Sequence, residues 1–262
     1  MCHPDWVASV GEGARADVPL ADGGSLPTWR YVPDGAATAR PVLLLPDIYG
    51  PLPFYRHLAE LLADAGHPVA LVDLFHHEGP LDDPTDREQA FARLACHDVV
   101  RAVDEAEQAA ASLAVTGRPT GVLGFCIGGQ QALVLAARRA DLVTLTYYAF
   151  TEGLPRPVAR PAPRPIDLTT ALNGPILGFW GDQDYIPVEA IARFGEAAED
   201  AGVDHDIRIL EGAGHGFLQG IVEDRGDSAV AQLAWAEGRR FLAEHLAGHG
   251  EPLAAGRSRS AP

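Results

Sequence analysis

The stretch Gly124-Phe125-Cys126-Ile127-Gly128-Gly129 follows a short apolar run at residues 120–123 and precedes a helix-like run at residues 130–139. This order predicts a strand, a sharp turn and a helix, with Cys126 at the apex. The pattern is G-x-S-x-G with sulfur in place of oxygen. Because Gly124 and Gly128 have no Cβ, the strand and the helix can approach closely across the turn. The helix N-terminus then directs N–H groups and a positive dipole end at the sulfur, which favours the thiolate.

The same stretch also fits a glycine-rich connector that merely buries a cysteine, since free cysteine is among the most buried residue types. A catalytic interpretation therefore requires a base, an orienting acid and oxyanion donors elsewhere in the chain.

The composition is typical of a globular protein with a large core: 262 residues, 47% hydrophobic and 21% charged. The net charge of −16 argues against nucleic acid or an anionic membrane as a partner, because the summed field repels polyanions. No apolar run approaches the ~20 residues of a membrane span, and no signal-peptide pattern is visible. Three cysteines are too few for a disulfide framework, so we expect a reducing cytoplasm.

Strands alternate with helices across residues 41–247, which predicts a mainly parallel sheet in a single α/β domain spanning residues 1–247. Two antiparallel edge strands at 16–20 and 26–32 precede it. A long Ala-rich helix at 86–114 has a candidate interruption near Cys96-His97, and Cys96 is expected in the core. The other predicted strands are 41–45, 67–74, 120–123, 142–149, 176–180 and 205–210, the last at a sheet edge; the other helices are 54–65, 130–139, 188–201 and 228–247.

A Pro-rich segment at residues 154–166 interrupts the alternation, and a small, polar tail follows at 248–262. Five prolines in the segment exclude a helix interior or a central strand. Because the insertion leaves the C-terminal end of a strand, where ligands bind in such sheets, it is interpreted as a lid. The tail is predicted to be disordered.

Four candidate reactive residues each fall just after a strand: Asp47, Cys126, Asp184 and His215. In an open parallel sheet those strand ends form one crevice. His215 can take the thiol proton and later deliver one to a leaving group. Asp184 can fix the imidazole tautomer, although it could equally cap the following helix, and Asp182 is a rival for the role.

Oxyanion donors are expected from the N–H of Ile127 and from an N–H in the Asp47-Ile48 turn. The chain order of nucleophile, acid and histidine is that of the α/β-hydrolase triad.

Three motifs resemble the dienelactone hydrolase family: the elbow at residues 124–129, Gly181-Asp182-Gln183-Asp184 before Pro187, and Gly212-Ala213-Gly214-His215-Gly216-Phe217. Asp73-Leu74-Phe75 also resembles that family, and the similarity covers about residues 15–247. The resemblance implies an α/β-hydrolase fold, the triad Cys126, Asp184 and His215, and a cytoplasmic, cofactor-free enzyme that is a monomer or small homo-oligomer. No metal site is predicted.

Two departures from the family pattern concern the pocket. The family places a Glu where this chain has Asp47, which is one methylene shorter and is predicted to hold the thiol or to position water. Family arginines that grip a substrate carboxylate are replaced at His76-His77, most directly at His77, and at Gln219. Neither His nor Gln reproduces a bidentate guanidinium fork, and the arginines of the Pro-rich segment are candidate substitutes.

The sequence therefore predicts a hydrolase that cleaves a small-molecule lactone or activated enol ester through an acyl-thioester. Two alternatives stay open: a non-hydrolytic cyclase, isomerase or acyl transferase using the same site, and a ligand-binding module without activity.

Overall fold

The computed structural model describes residues 11–35, 37–114, 117–223 and 226–247. The predicted tail at 248–262 lies outside these residues. The strands are β1 (Ala14–Arg15), β2 (Val18–Pro19), β3 (Ser25–Leu26), β4 (Thr28–Tyr31), β5 (Val42–Leu45), β6 (Val69–Val72), β7 (Thr120–Phe125), β8 (Leu142–Tyr147), β9 (Ile176–Gly181) and β10 (His205–Leu210).

Six α-helices and two 3-10 helices complete the described part of the chain. The α-helices are α1 (Pro53–Asp64), α2 (Arg87–Ala95), α3 (Val99–Leu113), α4 (Ile127–Arg138), α5 (Val188–Asp200) and α6 (Ser228–His245). The 3-10 helices are Pro165–Ala171 and Phe217–Ile221.

Eight strands form the central sheet in the order β1-β4-β6-β5-β7-β8-β9-β10. In this sheet the six neighbouring strands β6, β5, β7, β8, β9 and β10 run parallel, whereas β4 pairs antiparallel with both β6 and β1. The predicted α/β fold with a mainly parallel sheet is therefore confirmed, as is the edge position of β10. The chain moves outward from β5 to β6 and then crosses back to β7 on the other side of β5, so the direction of the strand order reverses there. In such sheets ligands bind where the order reverses, here at the carboxyl ends of β5 and β7.

Both faces of the sheet are covered. All four residues of β5 are fully buried, with Val42 and Leu44 in one apolar cluster and Leu43 and Leu45 in another. Because successive side chains of a strand point to opposite faces, this alternation places a core on each side of the sheet. Within the described residues, no helix has the length and apolar character needed to cross a membrane.

The predicted edge hairpin is present, but its second strand is divided. β2 and β3 form a separate two-stranded sheet around the turn at residues 22–24, with Val18 opposite Leu26. The chain then bends into β4, which joins the central sheet beside β6.

The long predicted helix at 86–114 consists of two helices separated at residues 96–98. The Asp98 side chain accepts a hydrogen bond from the Arg101 N–H (2.9 Å) and caps α3, so the chain restarts a helix there. The expectation that Cys96 lies in the core was wrong, because it occupies the C-cap of α2 and is exposed. His97 is the buried residue, stacked on Phe75 with ring centroids 4.0 Å apart.

Gly128→Ala should destabilise the fold through a contact between α4 and the end of β5. A Cβ at Gly128 would lie 2.3 Å from the carbonyl oxygen of Leu45 and 2.4 Å from that of Pro46, and backbone atoms cannot rotate away. We expect the free energy of unfolding to fall by about 2–3 kcal/mol, measured by urea denaturation. The control is Gly226→Ala, where an added Cβ meets nothing within 4 Å. Equal stability of the two variants would contradict this packing.

Candidate active site

Cys126 stands at the tip of the turn between β7 and α4 in a strained conformation. Its φ is 57° and its ψ is −118°, and its exposure is 3%. The close approach of strand and helix explains the strain: a Cβ at Gly124 would lie 2.4 Å from the Gly128 carbonyl oxygen. A non-glycine residue at positive φ costs about 1–3 kcal/mol and persists where the surrounding structure holds it.

The neighbouring strands hold the turn in place. The Cys126 N–H donates to the carbonyl of Tyr147 (3.1 Å), and the Tyr148 N–H donates to that of Phe179 (2.7 Å). Tyr148 also has a positive φ of 43°. Ile127 opens α4, so its N–H is one of the four that a helix cannot pair internally. That N–H follows Cys126 directly in the chain.

Asp184 and His215 come together at the ends of β9 and β10. The His215 Nδ1 lies 3.0 and 2.9 Å from the two carboxylate oxygens of Asp184. The side chains are 3% and 0% exposed, so water screens this pair little. The Ile186 N–H donates to Asp184 Oδ1 (3.0 Å), which fixes the carboxylate within its own turn.

Asp182, the rival acid in the sequence, has a different partner. Its Oδ1 accepts the Gly212 N–H at 2.8 Å, at the base of the loop that carries His215. Asp182 is exposed, whereas the Asp184 side chain is fully buried against the imidazole. The two carboxylates thus hold the same loop at different points, and Asp184 is the one in contact with His215.

A cavity of about 610 Å³ opens over Cys126 and His215. Its walls are mostly apolar and aromatic, which suits a small organic molecule. Among the described residues, two arginines line it and no carboxylate does. The lining comprises Ile48, Tyr49, Arg87, Phe91, Leu94, Cys126, Phe150, Leu154, Pro155, Arg156, Pro157, Tyr185 and His215.

The Pro-rich segment forms one wall of this cavity through Leu154, Pro155, Arg156 and Pro157. Its middle is tied to the start of α3, where the Val99 N–H donates to the Arg160 carbonyl at 2.9 Å. The prediction placed the segment at the ligand-binding end of the sheet, and it lies there. Its role as a moving lid stays a prediction.

The two cavity arginines flank one aromatic ring. The guanidinium carbons of Arg156 and Arg87 lie 4.0 and 5.1 Å from the centroid of the Phe91 ring. Cation–π contact of this kind orients a guanidinium while leaving its N–H donors available. Sequence reasoning did not single out Arg87, although its spacing of four residues from Phe91 on α2 places the two side chains on one helix face.

Asp47 lies beneath the cavity rather than in its wall. It is 1% exposed, and its Oδ1 accepts the Tyr49 N–H at 2.9 Å, which shapes the turn after β5. In the same turn, the Arg93 guanidinium donates to the Ile48 carbonyl. Burial lowers the pKa of Arg93, and the nearby carboxylates of Asp73, Glu78 and Asp47 oppose that effect. These contacts fix the turn that supplies Ile48 and Tyr49 to the cavity lining.

Three residues assigned to substrate contact from the sequence do not line the cavity. The imidazoles of His76 and His77 contact the Glu105 carboxylate on α3 instead. Gln219 is buried at 3% exposure in the 3-10 helix Phe217–Ile221. The cationic residues that do face the cavity are Arg87 and Arg156, on other elements.

The parallel sheet, the cysteine elbow and the buried aspartate–histidine contact define the class of α/β-hydrolases. A solved structure of a putative dienelactone hydrolase from Klebsiella pneumoniae has the same fold, with a TM-score of 0.76 at 22% identity, covering 88% of this chain and 98% of that one. The sequence profile of the dienelactone hydrolase family matches residues 26–246. The chain therefore belongs to the dienelactone hydrolase family, whose members hydrolyse lactones and esters.

Two curated relatives are similar over most of their length. A carboxymethylenebutenolidase from Rhodococcus opacus is 39% identical over 206 residues, covering 78% of this chain and 81% of the relative. A probable 2-oxo-3-(5-oxofuran-2-ylidene)propanoate lactonase from Bradyrhizobium is 31% identical over 214 residues, covering 79% and 84%.

The variants Asp184→Asn and Asp182→Asn should distinguish the roles of the two aspartates in the turn after β9. Asparagine at 184 no longer stabilises the imidazolium, so we expect kcat on an activated ester to fall about 10³-fold. Asparagine at 182 keeps an oxygen that can accept the Gly212 N–H, so kcat should stay within about threefold of wild type. Steady-state kinetics on folded protein measures both. A larger loss in Asp182→Asn would reverse the assignment.

Proposed function

We propose that this chain hydrolyses a lactone or enol ester with Cys126 as nucleophile, His215 as base and Asp184 as the orienting acid. The observation that carries the proposal is that Cys126 and His215 face one cavity while Asp184 holds Nδ1 of His215. Contact with the carboxylate through Nδ1 directs Nε2 to proton transfer, as in triad hydrolases. The dipole end of α4 favours the thiolate at Cys126.

The first half-reaction transfers the acyl group to sulfur. Cys126 thiolate attacks the carbonyl carbon, and the N–H groups of Ile127 and Ile48 stabilise the oxyanion. The carbonyl re-forms as the ring C–O bond breaks, and protonated His215 supplies the proton to the departing oxygen. Because a thiolate leaves more readily than an alkoxide, the intermediate reverts unless the substrate's leaving group is good. An enolate meets this requirement and a peptide amine does not.

The second half-reaction restores the thiolate. His215 removes a proton from water as the water attacks the thioester carbonyl, and the second intermediate expels the Cys126 sulfur. The net change is addition of one water across the ester bond. The product carries a carboxylic acid from the acyl group and an enol, or its keto tautomer, from the leaving group.

The charges of the cavity favour an anionic substrate. The chain carries a net charge of −16, yet the described lining holds Arg87 and Arg156 and no carboxylate. The similar Bradyrhizobium protein is named for a propanoate that carries an oxofuran ring. We propose that Arg87 and Arg156 bind a carboxylate of the lactone, in place of the arginines expected at His77 and Gln219.

Cys126→Ala should abolish hydrolysis of aryl esters and enol lactones, with kcat/KM reduced at least about 10³-fold, because no other group supplies the nucleophile. Cys96→Ala is the matched control, since that thiol is exposed and lies outside the cavity lining. We expect the control to keep wild-type kinetics. Comparable rates in Cys126→Ala and wild type would reject the proposed function.

Arg87→Gln and Arg156→Gln should each raise KM for a carboxylated lactone about tenfold, the loss of one charged hydrogen bond, and leave a neutral aryl ester unchanged. Arg164→Gln is the control: its guanidinium pairs with Asp167 at 2.7 Å and does not line the cavity. Equal changes for charged and neutral substrates would show that the two arginines shape the wall without binding the anion.

A further inference from the structure

The side chains of two histidines in the turn that follows β6 lie close to a glutamate on α3. The His76 Nε2 lies 3.0 Å from Glu105 Oε2, and the His77 Nε2 lies 2.6 Å from Glu105 Oε1. One donor atom from each residue falls within 4.8 Å of the others. None of the three lines the catalytic cavity, and the hydrolytic mechanism uses none of them.

The turn that carries the histidines is fixed by buried contacts. The Asp73 side chain accepts the Phe75 N–H (3.0 Å), and the Glu78 N–H donates to the Phe75 carbonyl (3.0 Å). Phe75 itself is 1% exposed. The imidazoles of His76 and His77 have ring centroids 3.8 Å apart and planes tilted by 39°, and both Nε2 atoms face the Glu105 carboxylate.

The residue after the two histidines ties the same turn to the junction of α2 and α3. Glu78 Oε1 lies 3.2 Å from His97 Nδ1, and the side chains are 6% and 1% exposed. The donor atoms of His76 and His77 are therefore presented by a backbone that is held from both ends. Sites whose supporting residues are packed in this way bind an ion without a large ordering cost.

Glu105 carries a buried carboxylate, which a cation would stabilise. Its side chain is 4% exposed, and across the described residues its only ion-pair partners are the two imidazoles. A buried ionised carboxylate is stabilised by hydrogen bonds such as those with the two imidazoles, and a metal ion adds positive charge to them. A divalent cation bound between the three side chains would neutralise the carboxylate.

We propose that His76, His77 and Glu105 form a binding site for a divalent transition-metal ion, with Zn²⁺ as the best fit. Two imidazoles and one carboxylate match its preferred donors, and three protein ligands leave a fourth position for water. At Zn–N and Zn–O distances of about 2.0–2.2 Å, tetrahedral donors stand about 3.3 Å apart. The present N···O separations of 3.0 and 2.6 Å therefore need to open by less than about 1 Å.

The bound ion would join the turn after β6 to α3. His77 is exposed and His76 partly so, which gives the ion a path from solvent. The site is separate from the thiolate chemistry, so a structural role for the ion follows rather than activation of the catalytic water.

The test is a calorimetric titration of Zn²⁺ into the untagged, full-length protein after treatment with a chelator. We expect one tight site per chain, and a cobalt titration should give the visible absorption of a low-symmetry ion without thiolate charge-transfer bands. His77→Ala and Glu105→Gln should each weaken binding at least about 100-fold, since each removes a ligand. His57→Ala is the control, because that imidazole lies only near Glu60 (3.9 Å).

Several results would overturn the proposal. They are the absence of one-to-one binding by wild type below about 100 μM Zn²⁺, equal affinity of wild type and His77→Ala, or loss of the site in Cys126→Ala. His77→Ala keeps the test decisive if Glu105→Gln folds poorly, because residue 77 is exposed. Circular dichroism checks the fold of each variant.

Discussion

The close approach of β7, α4 and the end of β5 is the constraint on which the site depends. Positions 124 and 128 leave room only for hydrogen, because a Cβ at either would lie within 2.4 Å of a backbone oxygen. This packing holds Cys126 at a φ of 57° and brings the turn after β5 against the start of α4. The thiol and its proposed oxyanion donors are thus assembled by backbone contacts before any substrate binds.

Charge is distributed to suit the same chemistry. Asp184 is buried against His215, where low dielectric strengthens its effect on the imidazole. The cavity wall, in a chain with a net charge of −16, carries Arg87 and Arg156 and no acid among the described residues. The arginines inside the cavity would therefore attract a negatively charged lactone, although the net charge of the protein as a whole repels it.

The sequence was sufficient for the parallel sheet and for the meeting of Cys126, Asp184 and His215 at one edge of it, because a parallel sheet gathers the ends of its strands there. Sequence spacing could not decide which of Asp182 and Asp184 contacts His215, since both lie in one turn. Both side chains also accept backbone N–H groups, Asp182 from Gly212 and Asp184 from Ile186. That choice depends on the path of the loop carrying His215, which is set by tertiary contacts.

The pocket residues were harder to predict for the same reason. The family pattern suggested a substrate contact at His76 and His77, whereas their imidazoles contact Glu105. The arginines of the cavity come from α2 and from the Pro-rich segment, and their meeting around Phe91 is a contact between elements far apart in the chain. The division of the helix at Asp98 was visible locally, because aspartate before an apolar helical run is a capping signal.

The most direct test of the proposed acyl-thioester is mass spectrometry of the enzyme quenched in acid during turnover of an enol lactone. We expect a covalent adduct of the acyl mass on the peptide that contains Cys126, rising within the first turnover and disappearing as substrate is consumed. Turnover at the full rate while that peptide keeps its unmodified mass throughout, or an adduct on another residue, would contradict it.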